Sequence, residues 1–296
     1  MSSQIVTLPD GRKLGYATIG EGKPIVYFHG TASSRLEAYL LKQLTVREKI
    51  RIIAFDRPGY GLSTYKSRKN IQDVNSDLNF LMNHLGIDKF GVLGWSGGGI
   101  FALAYMACFS HRVTCGIVVG TPDLPFDASI AHNTPFIKYV MKIPFLGAIA
   151  MHNMRRQVLK ADSTEAFLQS IQGKQILHTC SNSDKIFFSD PTCQMLMYQS
   201  IAEAFRQKDS IKTVFEEHML FLKPWNLPFK NIVNKLQVWH GTEDKNCPIK
   251  NAYSISHRVE CSDVKVFPSQ GHFVLFCNLE RLVEFLKTVS FYSGTV

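Results

Sequence analysis

The stretch FGVLGWSGGGIFALAYMACF, residues 90–109, constrains the fold more than any other part of this chain. Its opening, Phe90–Leu93, has the apolar and small residues of a buried strand. Its last part, Ile100–Phe109, is apolar almost all round, as in a helix without a solvent face. A strand that runs at once into a buried helix points to a parallel sheet covered by helices on both faces. The rest of the chain keeps this rhythm. Gln4–Leu8 and Lys13–Ile19, joined by the turn Pro9-Asp10-Gly11-Arg12, predict a hairpin. Short apolar runs at Ile25–Phe28, Ile52–Phe55, Val113–Val119, Leu236–His240 and Val264–Phe267 predict further strands. Helical patterns cover Arg35–Glu48, Asp73–Leu85 and Leu279–Val289. The rhythm breaks at Thr121–Pro122. From Pro122 to about Val233 the patterns are helical, including Pro191–Arg206 and Ser210–Leu222, and Asp162 with Glu165 has the spacing of a capping box. This stretch, 122–233, reads as a helical cap inserted into a core made of 1–121 and 234–296.

The turn between the strand and the buried helix holds Gly94-Trp95-Ser96-Gly97-Gly98-Gly99. A minimal strand-to-helix turn strains its central residue and admits only small neighbours, which Gly94, Gly98 and Gly99 supply. Ser96 is then projected from the sheet edge at a helix N-terminus, whose N–H groups suit a developing oxyanion. Gly94-x-Ser96-x-Gly98 is the pattern of a nucleophile elbow. A phosphate-binding glycine loop also joins strand to helix, but no Lys–Ser/Thr pair follows, and Ser96 falls where GxGxxG, aligned on Gly94, requires glycine.

A serine hydroxyl needs a base, and the base needs an orienting acid; after an elbow the chain order is serine, acid, histidine. Of ten histidines, His272 in SQGHF follows the strand Val264–Phe267 and is the candidate base. His84 and His218 fall within helical patterns and read as structural. The loop after Leu236–His240, in VWHGTEDKNCPI, offers Asp244 as the acid, with Asp123 as the alternative and Glu243 third. Backbone N–H groups of Gly97 and Thr31 are the expected oxyanion donors, Thr31 standing just after the turn His29–Gly30. Tyr60 and Trp95 are candidates for lining the site. Met141, Phe145 and Met151, in the apolar stretch TPFIKYVMKIPFLGAIAMHNM, are candidates for an acyl pocket or a patch that meets lipid. The alternative is that one face of this stretch simply packs on the core.

These residues resemble the α/β-hydrolase superfamily: His29–Gly30, Asp56-Arg57-Pro58-Gly59-Tyr60-Gly61, the elbow around Ser96, Gly241 with Asp244, and Gly271–His272, in the expected order. The resemblance implies a mostly parallel eight-stranded sheet with helices on both faces and a helical cap after the sixth strand. It also implies a Ser96–His272–Asp244 triad that works without metal or organic cofactor. Epoxide hydrolases and haloalkane dehalogenases of this fold use an Asp nucleophile, where this chain has Ser96. Proline iminopeptidases usually carry a Gly-Gly-Ser-Trp-Gly type of elbow, which this sequence does not match. Hydroxynitrile lyases and cofactor-free haloperoxidases share the triad and stay open.

Composition supports a well-packed globule, with 45% hydrophobic and 19% charged residues. The net charge of +9 comes without a Lys/Arg block of the kind that binds nucleic acid; it reads as a solvated basic face, with steering of anionic substrates, an anionic lipid among them, or weak membrane attraction as the alternative. No apolar run is long enough for a membrane-spanning helix. MSSQIVTLPDGRK lacks the apolar region of a signal peptide, and seven cysteines without CxxC spacing fit reduced thiols, so a cytoplasmic setting is expected. The expected function is hydrolysis of a small-molecule carboxylic ester with an apolar, short-to-medium acyl group. The same triad would serve an amide or C–C bond hydrolase. A non-catalytic binding member of the fold would typically lack one of the three residues.

Overall fold

A computed structural model of the chain describes residues 2–126 and 144–289. Eight strands form one sheet: β1 (Gln4–Thr7), β2 (Lys13–Ile19), β3 (Lys23–Phe28), β4 (Ile50–Phe55), β5 (Phe90–Trp95), β6 (Val113–Val119), β7 (Leu236–Gly241) and β8 (Ser262–Phe267). Their spatial order is β1-β2-β4-β3-β5-β6-β7-β8. The pairs β1–β2 and β2–β4 are antiparallel, and β4, β3, β5, β6, β7 and β8 run parallel.

The described helices are α1 (Lys42–Arg47), α2 (Asn75–His84), α3 (Gly97–Phe109), α4 (Pro144–Lys160), α5 (Thr164–Gln169), α6 (Ile171–Thr179), α7 (Asn182–Phe187), α8 (Pro191–Ala204), α9 (Ser210–Phe221), α10 (Lys250–Arg258), α11 (Val274–Cys277) and α12 (Leu279–Lys287). Strand alternation sends side chains to two separate cores. Val26, Phe28, Ile53 and Val92 pack with α2, α3 and α10 on one face. Ile25, Tyr27, Ile52 and Leu93 pack with α1, α11 and α12 on the other. The sheet is therefore covered on both sides, as its two-sided apolar strands require.

The register matters for function. Phe28 lies beside Gly94, Trp95 beside Val119, Val119 beside Trp239, and Gly241 beside Phe267. The C-terminal ends of five parallel strands thus fall on one edge, and the loops after them meet there. This edge is where open α/β sheets bind ligands.

Three details differ from the sequence patterns. The helix after Ser96 starts at Gly97 rather than Ile100, so the glycines belong to its first turn. Arg35–Glu48 divides into a 3₁₀ segment, Arg35–Leu41, and α1. The 3₁₀ segment turns Arg35 and Glu37 inward to buried partners. The cap of α5 is Ser163, whose side chain accepts from the Ala166 N–H, and not Asp162. A serine hydroxyl one residue closer to the helix serves the same orphan donors.

Candidate active site

Ser96 stands between β5 and α3 with φ +53° and ψ −129°. For a residue with a Cβ this is a strained conformation, costing roughly 1–3 kcal/mol, and it persists only where the surroundings enforce it. They do. A Cβ on Gly94 would lie 2.6 Å from the Gly99 Cα, and one on Gly98 would lie 2.0 Å from the Phe28 carbonyl oxygen. Helix and strand approach so closely that only glycine fits. The Ser96 N–H donates to the Val119 carbonyl at 2.8 Å, anchoring the turn to the next strand.

His272 follows β8 through a short loop. Its Nδ1 lies 2.8 Å from Asp244 Oδ2. The Asp244 side chain is 1% exposed, and its other oxygen accepts from the Asn246 and Cys247 N–H groups at 2.8 and 2.9 Å. With a carboxylate on Nδ1, the proton is assigned there, and Nε2 keeps its lone pair. Burial disfavours the charged imidazole, but Asp244 more than offsets this, and the His272 pKa is raised. Burial likewise opposes charge on Asp244, yet His272 and the backbone donors hold its pKa below the usual value. Trp95 braces the ring from β5: the two ring centroids are 5.1 Å apart, and the indole N–H donates to the His272 carbonyl at 2.9 Å.

Ser96, Trp95, His272 and Thr31 line one cavity of about 320 Å³. Thr31 also faces the helix start: a Cβ on Gly97 would fall 2.1 Å from Thr31 Oγ1. The Gly97 N–H belongs to the first turn of α3, where intrahelical acceptors are missing. The opposite wall comes from the helices between β6 and β7, through Met154, Val158, Phe167, Met197, Ile201 and Phe205.

The remaining candidates sort by geometry. Asp123 is held by Leu124 N–H, Trp225 Nε1–H and the Ser254 hydroxyl, not by His272. Glu243 is exposed. Tyr60 does not line the cavity; it is fully buried, its ring 5.3 Å from His29 and its hydroxyl accepting from the Ala32 N–H at 3.5 Å. The Asp56–Gly61 turn folds it beneath the Ala32 loop. Met151 is also not at the cavity wall: it is 6% exposed in a cluster behind it, and Met154 takes the wall position. Met141 lies outside the described residues, and so does the side chain of Phe145 on α4. His29 is buried, with Nδ1 2.8 Å from the Gly30 carbonyl and Nε2 accepting from the Arg57 N–H. Burial, then Arg57, keep it neutral.

Three residues near the site were not visible in the sequence pattern. Asp184 of α7 is fully buried, and its carboxylate accepts from the His272 N–H at 3.2 Å and the Phe273 N–H at 3.0 Å. Its only sequence signal is the capping-box spacing with Ser181, whose N–H and hydroxyl it also engages. Glu217 of α9 is bound between Arg57 at 2.8 Å and Arg68 at 2.9 Å, all three buried. Glu37 lines the cavity beside the Gly30 turn. Among the described residues no group of three His, Cys, Asp or Glu side chains is placed to hold a metal ion, and no helix is long and apolar enough to cross a membrane.

Comparison with known proteins gives relatives of several chemistries. A 30% identical relative is the "Uncharacterized hydrolase YcgS" of Bacillus subtilis, matched over 35% of this chain and 36% of the relative. A "Probable proline iminopeptidase" of Leptolyngbya boryana is 40% identical over 31% of this chain and 29% of its own. The chain thus matches about a third of these two relatives' lengths. A 2-hydroxy-6-oxo-2,4-heptadienoate hydrolase of Pseudomonas putida matches at 21% identity over 96% of this chain and 94% of its own. Among solved structures, a thermophilic esterase from Thermogutta terrifontis superposes with a TM-score of 0.70 at 20% identity, covering 97% of both chains. A bromoperoxidase from Bacillus anthracis gives 0.71 at 19% identity, covering 97% of this chain and all of that one. The family model described as alpha/beta hydrolase fold matches residues 23–279, which takes in the strained Ser96 turn, the Asp244–His272 pair and the helices facing them, and the chain belongs to that family.

Proposed function

We propose that the chain is a serine hydrolase that cleaves carboxylic esters with an apolar, short-to-medium acyl group through an acyl-enzyme. The observation that carries this reading is the Asp244–His272 bond of 2.8 Å with His272 and the strained Ser96 lining one cavity. Ser96 Oγ attacks the ester carbonyl carbon while His272 Nε2 takes its proton. Asp244 fixes the ring and stabilises the imidazolium. The N–H groups of Gly97 and Thr31 hold the oxyanion. As the tetrahedral intermediate collapses, the C–O bond breaks and His272 returns the proton to the leaving alcohol. Water, deprotonated by His272, then attacks the acyl-enzyme and releases the acid. The segment 122–233 acts as the cap over the core 1–121 and 234–296, and its apolar side chains form the acyl wall. A cavity of about 320 Å³ is at the small end of ligand sites, which supports a modest acyl group.

The test is covalent labelling with a fluorophosphonate. The expected result is one adduct, mapped to Ser96 by peptide mass spectrometry and absent from Ser96→Ala. Labelling elsewhere, or none, would refute the nucleophile. A second reading, cleavage of a C–C or amide bond by the same residues, is supported by the names of the Pseudomonas putida and Leptolyngbya boryana relatives. Ring-cleavage diketones and amino-acid amides, compared with esters, separate the two.

A further inference from the structure

Glu37 is fully buried on the 3₁₀ segment after the Gly30–Thr31 turn. One of its oxygens holds the turn together. Oε1 accepts from the Tyr27 hydroxyl at 2.6 Å and from the Gly30 N–H at 2.9 Å. The other, Oε2, is buried and has no hydrogen-bond partner among the described residues. The neighbouring Ser33 hydroxyl shares a 2.8 Å bond with Ser200 Oγ in which either oxygen can donate, and it also stabilises the Glu37 carboxylate, without a geometric hydrogen bond to Oε2. Glu37 lines the cavity that Ser96 and His272 share. Its free oxygen borders the turn itself, since a Cβ on Gly30 would stand 3.5 Å from Oε2. Burial raises the Glu37 pKa, against the opposing pull of Ser33, Tyr27, the Gly30 N–H and Arg57.

Buried polar atoms in folded proteins almost always have a partner, so an orphan in a substrate cavity points to a partner on the substrate. Apolar side chains form most of the cavity's cap-side wall, which makes a carboxyl oxygen beside the oxyanion turn a strong discriminator. We propose that Glu37 determines specificity: Oε2 hydrogen-bonds a hydroxyl on the acyl group, one or two carbons from the reacting carbonyl. The short reach follows from Gly30, which Oε2 borders and which precedes Thr31, the proposed oxyanion donor. A hydroxyl both donates and accepts, so it matches this carboxyl in either protonation state. The inference rests on the hydrolase reading for its geometry at the carbonyl, and it refines the apolar acyl group of that reading to one that carries a single hydroxyl near the carbonyl.

The test uses pairs of esters of equal shape: ethyl 2-hydroxybutyrate with ethyl 2-methylbutyrate, and ethyl 3-hydroxybutyrate with ethyl 3-methylbutyrate. Each rate is divided by the rate of hydroxide-catalysed hydrolysis, which removes intrinsic reactivity. The wild-type protein should favour the hydroxy ester of one pair by about tenfold or more in kcat/KM, the usual size of a hydrogen bond to a carboxylate. In Glu37→Gln, whose carbonyl can keep the Tyr27 and Gly30 bonds, the ratio should change by at least about fivefold. Calorimetric binding of the same esters to Ser96→Ala gives a readout without turnover and without altering Glu37. Turnover without hydroxyl preference in either assay overturns the Glu37 site and leaves the hydrolase reading standing. Tighter binding of a hydroxy ester without turnover by the wild type supports the Glu37 site and overturns the ester reading. Neither turnover nor a binding difference overturns both.

Discussion

Asp184 ties the helices between β6 and β7 to the loop that carries His272, and its removal has a cost that can be worked out bond by bond. Oδ2 accepts from Ser181 N–H at 3.0 Å and His272 N–H at 3.2 Å, and Oδ1 accepts from Phe273 N–H at 3.0 Å. In Asp184→Asn, the amide oxygen in the Oδ2 position keeps two of these bonds. The amide NH₂ then faces the Phe273 N–H, donor against donor. The loss of one charge-assisted bond and the stranding of one buried donor predict a destabilisation of about 2–4 kcal/mol. Urea unfolding should show it as a lower midpoint at unchanged slope. The loss should also reach catalysis, because the loosened N–H belongs to the residue after His272. A fall in kcat of about tenfold or more, with a smaller change in KM, is expected for a misplaced base. A purely structural role would stop there, but Asp184 is also one of the carboxylates that raise the His272 pKa. Asp184→Asn should therefore move the acidic limb of the pH–rate profile to lower pH. A stability loss below about 0.5 kcal/mol, with kcat and the acidic limb unmoved, would refute the clamp.

Other expectations follow from the same geometry. Since the base must be neutral and the His272 pKa is raised, kcat/KM of the wild type should rise with pH through a midpoint above the ordinary histidine value of about 6.5, and a midpoint at or below that value would contradict the Asp244 pairing. Glu217→Gln leaves Arg57 and Arg68 buried with one neutral partner and should cost about 3–5 kcal/mol, read by thermal or urea unfolding. Burial opposes charge on Glu217, but the two arginines bring its pKa down from 4.5 to about 2, so its stabilising effect is present above its unfolded pKa and is lost as pH falls from about 4.5 towards 2. The acid unfolding of the wild type should steepen in that window, and that of Glu217→Gln should not. Gly98→Ala drives a Cβ to 2.0 Å from the Phe28 carbonyl oxygen and should cost about 3 kcal/mol or more, and a soluble variant of unchanged melting temperature would show that helix and strand can part there at no cost.

Much of the fold was legible because its signals are local. β2 and β6 have the bounds that apolar runs suggested, and the break after β6 marks where the chain leaves the sheet for its helical segment. The Ser96 turn was legible because crowding leaves a mark at the turn itself, in the form of glycines. Asp244 and His272 could be found because each follows a strand of one parallel sheet, and parallel strands deliver such loops to the same edge. Asp184, Glu217 and Glu37 were hidden for a different reason. Glu217 meets Arg57 across 160 residues and Asp184 meets His272 across 88, and no periodicity records a partner at that range. Glu37 sits within a helical-looking stretch whose buried side could not be assigned before the Gly30 turn was placed. Tyr60 and Met151 show the converse error: an aromatic or sulfur side chain near a functional loop reads the same in sequence whether it reaches the cavity or packs behind it.

The initial rate of hydrolysis of p-nitrophenyl esters from acetate to palmitate, with Ser96→Ala as the blank, tests the central claim most directly. A serine hydrolase of this shape should give a Ser96-dependent rate that peaks at a short-to-medium acyl chain and falls for palmitate, which a cavity of about 320 Å³ cannot enclose. A rate that is the same in Ser96→Ala, or that is absent at every chain length, would contradict it.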